Sequence, residues 1–306
     1  MAVDQAGAIS HVRGLNQLLL VSGPEKFRHE PLRSVFESCR ATLITTHLIL
    51  RRRTFLELES WTTVPWMLDP GSKSHQSHIA DVLVSIPGLL EDAEIHTRSP
   101  ARNQPIDLLI RIKSQLEKLY NWRWAWEVAN SLAVWEVDTS SADPSVLCRQ
   151  HPAGEKELHF ATASQSTEIM AYNAALLWLL SLLGKLEPLR VKGIVDAAAA
   201  PGRSLFLSSS SLLFRPGETY SLRGPATEIC RCYDYQIRYG RQSRESSLFY
   251  LFPLALAGTV LKDDPQFSAW IRVMLNSSPT TSGYGVDQSN VYGFRFYLTP
   301  ESLNLR

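Results

Sequence analysis

The sequence predicts an all-α fold, a compact multi-helix domain with a variable insertion around residues 186–224. Apolar residues recur at three- and four-residue spacings along most of the chain, which is the pattern of helices with one buried face. No region shows a convincing series of strands, and no repeat of fixed period stands out. The chain has 306 residues, of which 44% are hydrophobic, so a single domain over residues 1–306 is able to bury a sizeable core.

About seven segments account for the predicted helical core. Pro31, Pro225 and Pro265 lie in first turns, where the missing N–H costs nothing, and Asp264 is the expected N-cap of the last helix. The fourth segment is apolar nearly all round, which predicts a central helix; its most apolar run, about ten residues, is too short to span a bilayer. The segments cover residues 31–53, 74–96, 106–132, 166–186, 224–240, 247–261 and 263–275.

Polar or Gly- and Pro-rich stretches separate these helices. Residues 137–158 contain Pro144, Pro152 and Gly154 and are predicted to form a loop. Residues 186–224 carry Gly, Pro and a run of serines, as expected of a long insertion. Residues 277–306 are Gly-rich and are predicted to form a loosely ordered tail.

The charge balance argues against direct DNA binding by this chain. The formal net charge is +1, whereas non-specific binding to nucleic acids depends on Lys and Arg neutralising phosphates. The densest basic run, Arg51 to Arg53, is short. It is predicted to lie at a solvated helix end, where positive charge suits the negative pole of the helix.

Two groups of residues resemble metal motifs only weakly. Cys230 and Cys232 form a lone C-x-C pair, and the four cysteines suggest no disulfide framework, which fits a reducing compartment. His75, His78 and Asp81 follow one another at three-residue spacing and would share one face of a helix. Their polar surroundings favour surface residues near a helix N-terminus, so no metal site is predicted.

The stretch DAAAAPGRS, residues 196–204, is similar to the start of many S-adenosylmethionine sites. In such sites an apolar strand runs into an acidic residue and a tight turn of small residues, and a second acidic residue follows about 20 residues on. Glu218 stands at about that distance, but its surroundings are not an apolar strand. The favoured interpretation is an Ala-rich insertion with a Pro-Gly turn, and no cofactor is predicted.

Aromatic density gives the candidate binding site. In NWRWAWEVAN, residues 121–130, Trp122 and Trp126 share one side of a helix and Trp124 lies roughly opposite. Either this helix is sandwiched between two others, which we favour, or one side binds a flat ligand or a partner. A ligand pocket, if one forms, is expected near these three tryptophans, Tyr172 and Trp178.

Several segments, in order, carry a resemblance to a known family. They are HVRGLNQLLLVSGPEKF, RRRTFLELESWTTVPW, DVLVSIPGLLEDAE, NWRWAWEVAN, LHFATASQSTEIMAYNAALLWLLSLL, and ATEICRCYDYQI followed by LFYLFPLALAGTVL. Over about residues 10–275, these segments resemble the regulatory middle region of fungal binuclear-zinc-cluster transcription factors.

The resemblance implies an all-α regulatory domain in the nucleus. Such a domain would control a secondary metabolic gene cluster through protein partners, including other regulators or a second copy of the chain, or through a small-molecule metabolite. The six-cysteine zinc cluster of the family is missing from these residues, so its DNA-binding residues are not carried over. A finger encoded upstream of Met1 stays an open alternative.

The other alternative is a helical domain turned to catalysis in a secondary-metabolite pathway. The sequence contains no G-x-S-x-G motif, no G-x-x-x-x-G-K-[ST] phosphate loop and no G-x-G-x-x-G fingerprint. Catalytic residues are therefore not predicted, and a non-enzymatic role is favoured.

Overall fold

The computed structural model describes residues 5–98, 105–138, 152, 156–203, 211–239 and 247–277. Over these residues the protein is mostly helical, which confirms the predicted all-α class. Two short strands are present, β1 (Val134–Asp138) and β2 (Lys156–Phe160). The helices are α1 (Gln5–Ser22), α2 (Leu32–Leu50), α3 (Glu59–Thr63), α4 (His75–Leu83), α5 (Ile86–Arg98), α6 (Pro105–Ala129), α7 (Ala163–Leu186), α8 (Val191–Arg203), α9 (Arg223–Tyr239), α10 (Ser247–Val260) and α11 (Pro265–Ser277).

The contacts within the chain form two compact units. Unit 1 covers Met1–Arg111 and unit 2 covers Ile112–Arg306, so the division falls inside α6. This grouping does not test the predicted single domain, which stays a prediction. Each unit is described by itself below.

In unit 1, α2 lies against α1, α4 and α5. Its buried face presents Phe36, Leu43, Ile44 and Leu48, as the helical spacing predicts. The helix ends at Leu50, and the Arg51–Arg53 run follows, so this part of the prediction is confirmed.

The same three arginines also bind α5, which the sequence did not indicate. Their partners come from one turn of that helix, so the basic run is largely neutralised within unit 1. The hydrogen bonds are Arg51 to Glu94 at 3.0 Å, Arg52 to Glu91 at 2.8 Å and Arg53 to Asp92 at 2.7 Å.

The centre of unit 2 is α7, as predicted. It packs against α8, α9, α10 and β2, and every residue from Ser166 to Gly184 is buried. Its start is fixed by a capping box, in which Thr162 and Gln165 exchange hydrogen bonds between side chains and backbone. By length and composition α7 would also pass as a membrane span, but 89% of its most apolar window is buried inside the protein, which is typical of a core helix.

A hairpin replaces part of the loop predicted at residues 137–158. β1 and β2 pair antiparallel, from Val134 opposite Phe160 to Asp138 opposite Lys156, so the prediction is wrong at both ends of the range. Apolar and polar residues alternate only weakly along the two strands, because charged residues occupy both faces. The hairpin packs against α9, whose Tyr235 hydroxyl donates to the Phe160 carbonyl at 2.8 Å. Apart from Pro152, the residues between the strands lie outside the described residues.

The region predicted as an insertion contains α8, so a turn at the Ala-rich stretch is wrong. Alanine is the strongest helix former, and Pro201 and Gly202 stand in the last turn of the helix. Asp196 follows helical residues instead of a strand and pairs with Lys192 at 2.6 Å, so the S-adenosylmethionine interpretation fails as well. Residues 204–210 and 278–306, the latter holding nearly all of the predicted tail, lie outside the described residues.

Candidate functional site

The predicted aromatic residues all lie in the core of unit 2. Trp122, Trp124 and Trp126 belong to α6, and Tyr172 and Trp178 belong to α7. None is more than 7% exposed. Both sides of this part of α6 are therefore buried, as the sandwich interpretation predicted.

The two sides of α6 contact different helices. Trp122 stacks on Tyr172 of α7, with ring centroids 5.8 Å apart and ring planes at 19°. Trp124, on the opposite side, lies so close to Gly202 of α8 that a Cβ atom there would overlap its indole ring. The structure thus brings Trp122 and Tyr172 together and places Trp124 against α8.

A buried arginine links this aromatic group to polar residues. Arg123 is fully buried, and its guanidinium carbon lies 5.0 Å from the ring centroid of Trp126 and 5.9 Å from that of Tyr172. Its Nη1 donates to Glu127, one turn later in α6. The other oxygen of Glu127 accepts from Nη2 of Arg215 at 3.1 Å and from its Nε at 3.3 Å. These five residues are called the Arg123 cluster.

The guanidinium of Arg123 keeps two N–H groups for which the described residues provide no acceptor. These are Nε and Nη2, and both are buried. A guanidinium presents Nε–H and Nη2–H along one edge, at a spacing that matches the two oxygens of a carboxylate. Leaving a buried donor without an acceptor costs about 1–3 kcal/mol. Both donors lie on one edge of a fully buried guanidinium.

A second carboxyl group, that of Glu228 in α9, lies close to the cluster. It is 2% exposed and accepts hydrogen bonds from Nδ2 of Asn173 and from the backbone N–H of Phe214, both at 2.7 Å. Burial raises the pKa of Glu228, although these hydrogen bonds and the charge of Arg123 act in the opposite direction. The carboxyl group therefore holds its proton to a higher pH than an exposed glutamate does.

The two arginines of the cluster lower the pKa of the carboxylate that they share. Burial opposes ionisation of Glu127, but the charges and hydrogen bonds of Arg123 and Arg215 outweigh it and lower the pKa of Glu127. Arg123 and Arg215 therefore both bind the ionised form of Glu127. Glu218 accepts from the Arg215 backbone N–H at 2.8 Å, but its side chain is exposed, so water screens its charge.

Unit 1 contains a similar arrangement, called the Asp81 cluster. Asp81 accepts from Nη2 of Arg40 at 2.6 Å and, through its other oxygen, from the ammonium group of Lys73. Arg40 is 2% exposed. Its guanidinium carbon lies 5.5 Å from the ring centroid of Phe36 and 5.3 Å from that of Trp66.

These contacts account for the weak metal motifs. His75 begins α4 and His78 is exposed, as predicted, while both oxygens of Asp81 are occupied by cations. Burial raises the pKa of the Cys230 and Cys232 thiols, which opposes the thiolate form that binds metals. Among the described residues, no group of three or more His, Cys, Asp or Glu is placed to hold a metal ion.

An open groove of about 510 Å³ lies on the surface of unit 2 between α6 and α8. Leu189, at its side, is 98% exposed. The groove has small residues from α8 on one wall and charges of both signs, so charge alone selects no occupant. Its lining consists of Lys113, Glu117, Leu189, Arg190, Gly193, Ile194, Ala197 and Ala198.

No family model, curated protein or solved structure gives a significant match to this chain. The functional interpretation therefore depends on the resemblance of the sequence segments and on the geometry of the two clusters.

The polar members of the Arg123 cluster were missed at the level of sequence. A signal was present for two of them, because Arg123 and Glu127 stand four residues apart within a Trp-rich helix. Arg215 gave no signal, since it lies in the region expected to be an insertion. Nothing in the sequence indicated that Glu228 would lie beside them.

Proposed function

We propose that this protein is a regulator of transcription, similar to the middle region of fungal zinc-cluster factors, and that it acts in the nucleus on genes of a secondary metabolic pathway. The order of the resembling segments over about residues 10–275 supports this proposal. The helical architecture is consistent with it, since the Trp-rich segment, the buried α7 and the pair α9–α10 are the helices that the resemblance implies.

The Arg123 cluster is the observation that supports a role in sensing a metabolite. Arg123 lies in α6, Tyr172 in α7, and Arg215 in the segment that joins α8 to α9. An acceptor bound to Arg123 would therefore act on three parts of unit 2 at once. A ligand shifts a conformational equilibrium only through contacts that differ between the two states, and a site that links several elements provides such contacts.

The proposed regulator acts on DNA through protein partners, either other regulators or a second copy of the chain. The Arg51–Arg53 run supports this view, because its three side chains are engaged by carboxylates of α5. Little of that charge is left to neutralise phosphates. The groove between α6 and α8, with Leu189 exposed beside it, provides surface for a partner.

Glu228 favours one second candidate, an enzyme of a secondary-metabolite pathway. A buried carboxyl group with a raised pKa is suited to general-acid chemistry. In that case Asn173 and Arg123, which lie next to it, would orient the substrate.

A deletion strain separates the two candidates, with transcripts of neighbouring genes and metabolites profiled together. The regulator predicts that a set of transcripts rises or falls. Steady transcripts and one accumulating intermediate would overturn it in favour of the enzyme. A strain carrying Arg123→Lys should reproduce part of the transcript change, whereas the matched Arg40→Lys strain, altered in the Asp81 cluster, should resemble the wild type.

A further inference from the structure

We infer that two copies of this chain pair through the groove between α6 and α8, with Leu189 of each copy packed into the groove of the other. The inference rests on the proposed function, which leaves the protein partner open, and it assigns this surface to a second copy of the chain.

The groove and a side chain that fits it lie on the same face of unit 2. Leu189 stands in the turn before α8 and is 98% exposed, so it makes almost no contact within its own chain. Gly193 and Ala197 line the groove beside it, and no atom lies within 4 Å of a Cβ built at Gly193. Such a face is self-complementary, because a two-fold axis lets each copy supply both the exposed leucine and the groove that receives it.

The positions along α8 are symmetric about Gly193. Leu189 stands four residues before it and Ala197 four residues after it, about one helical turn on each side. A two-fold axis that passes Gly193 therefore makes the two copies of α8 antiparallel and sets Leu189 of each against Ala197 of the other. Glycine at the crossing point lets the two backbones approach closely.

The charges on α6 support the same axis. Lys113 and Glu117 line the groove one helical turn apart, and among the described residues neither has an ion-pair partner. Arg190, the third charged residue of the lining, pairs with Glu187 at 3.9 Å. When two copies of α6 are antiparallel, Lys113 of each faces Glu117 of the other, whereas parallel copies would set like charges opposite one another.

Apolar burial drives the pairing, and the size of the groove limits its strength. The partner's leucine covers Ile194 and Ala198 at the bottom of the groove, together with the small residues of its wall. An interface centred on one groove of about 510 Å³ is at the small end of protein interfaces. We therefore expect a dissociation constant of about 10–100 µM.

The test is sedimentation equilibrium of the full chain between about 1 and 300 µM, over which the wild type should change from monomer to dimer. Leu189→Asp should raise the dissociation constant about tenfold or more, because a charge then enters an apolar groove. Leu132→Asp is the matched control, since Leu132 also belongs to unit 2, is 91% exposed and lies outside the groove. This control should dimerise like the wild type.

Charge reversal tests the antiparallel arrangement itself. Lys113→Glu and Glu117→Lys each place like charges opposite one another, so each variant alone should dimerise about tenfold more weakly. An equimolar mixture of the two should form heterodimers, because opposite charges face one another again. The double variant Lys113→Glu/Glu117→Lys should dimerise like the wild type, and thermal unfolding shows that each variant is folded.

A chain that stays monomeric over this range would overturn the inference. So would a dimer that Leu189→Asp leaves unchanged, or a mixture of the two charge variants that forms no heterodimer. If the chain is monomeric but the deletion strain changes a set of transcripts, the regulator stands and its partner is a different protein. If the copies pair as expected but transcripts hold steady, the interface stands and the regulator is wrong.

Discussion

The Asp81 cluster of unit 1 and the Arg123 cluster of unit 2 have the same plan. In each, one carboxylate is shared by two cations, and a buried arginine lies near two aromatic rings. The exposures are also alike, since the Arg40 side chain is 2% exposed and the Arg123 side chain 0%. Burial, charge and aromatic contacts therefore do not distinguish the two.

The difference lies in which N–H groups each arginine has left. Arg40 gives Nη2 to Asp81, and its Nε and Nη1, which have no acceptor in the described residues, belong to different edges of the guanidinium. Arg123 gives away Nη1 instead and keeps Nε and Nη2, which share one edge. Only the second arrangement presents two donors to one carboxylate. The two clusters therefore differ in which edge of the guanidinium lacks acceptors among the described residues.

The largest effect that we expect comes from removing the shared carboxylate of each cluster. Glu127→Gln removes the carboxylate that two buried arginines share, and this should lower the free energy of unfolding by about 3–5 kcal/mol. Asp81→Asn should cost less, because the Asp81 side chain is 22% exposed against 12% for Glu127, so water compensates more of the change.

Urea unfolding of both variants measures this difference. Glu117→Gln is the control, since Glu117 is an exposed glutamate on the same helix as Glu127, and it should change stability by less than about 0.5 kcal/mol. A larger loss in Asp81→Asn than in Glu127→Gln would show that the exposure of the carboxylate does not set the cost of removing it.

The next effect compares a glycine from each unit. In unit 2, a Cβ at Gly202 would overlap the ring of Trp124, which is held inside the core, so Gly202→Ala should cost about 1–3 kcal/mol. In unit 1, a Cβ at Gly88 would meet the ends of the Glu57 and Arg53 side chains at 2.6 and 3.0 Å, and these flexible ends shift more easily than an indole ring held in the core.

Thermal unfolding should therefore show a clear loss for Gly202→Ala and almost none for Gly88→Ala. Gly193→Ala, in the same helix as Gly202 but with no atom within 4 Å of its Cβ, should be neutral or stabilising by up to about 1 kcal/mol. If Gly193→Ala were as harmful as Gly202→Ala, the loss would come from the helix backbone instead of the contact with Trp124.

These glycines show how far sequence could predict the molecule. The period of apolar residues in α2 and α6 predicted helices correctly, because helical spacing is a local property. The contact between Trp124 and Gly202 joins residues far apart in sequence, and the Ala-rich segment that carries Gly202 looked like a turn. The aromatic half of the candidate site was visible as NWRWAWEVAN, whereas its electrostatics depend on Arg215 and Glu228, which only the folded chain brings near Arg123.

A smaller effect, of similar size in both units, is expected from helix caps. Thr162 caps α7 by accepting from the backbone N–H of Gln165, and Ser74 caps α4 by accepting from that of Ser77. Thr162→Ala and Ser74→Ala should each cost about 1 kcal/mol of unfolding free energy, since a cap satisfies local backbone donors only. Thr162→Ser should restore the lost stability. If one of the two Ala variants lost several times more stability than the other, its cap would also support tertiary packing.

The smallest effect that we expect is a change in how stability depends on pH, and it has opposite signs in the two units. Glu228 has a raised pKa, so the folded protein holds this proton to higher pH than the unfolded chain does. Its contribution to the free energy of unfolding is therefore lost as pH rises above the ordinary glutamate value of 4.5. For Glu91 in unit 1, burial opposes ionisation, but hydrogen bonds from Arg52 and Arg53 outweigh it and lower the pKa. The contribution of Glu91 to the free energy of unfolding is therefore lost as pH falls.

Unfolding temperatures measured between about pH 4 and pH 8 should separate the two groups. Glu228→Gln should reduce the fall in unfolding temperature on the alkaline side, and Glu91→Gln should reduce the fall on the acid side. If Glu228→Gln and the wild type decline in parallel from pH 5 upward, Glu228 is ionised in the folded protein. The hydrogen bonds from Asn173 and Phe214 and the charge of Arg123 would then outweigh the effect of burial on the pKa of Glu228.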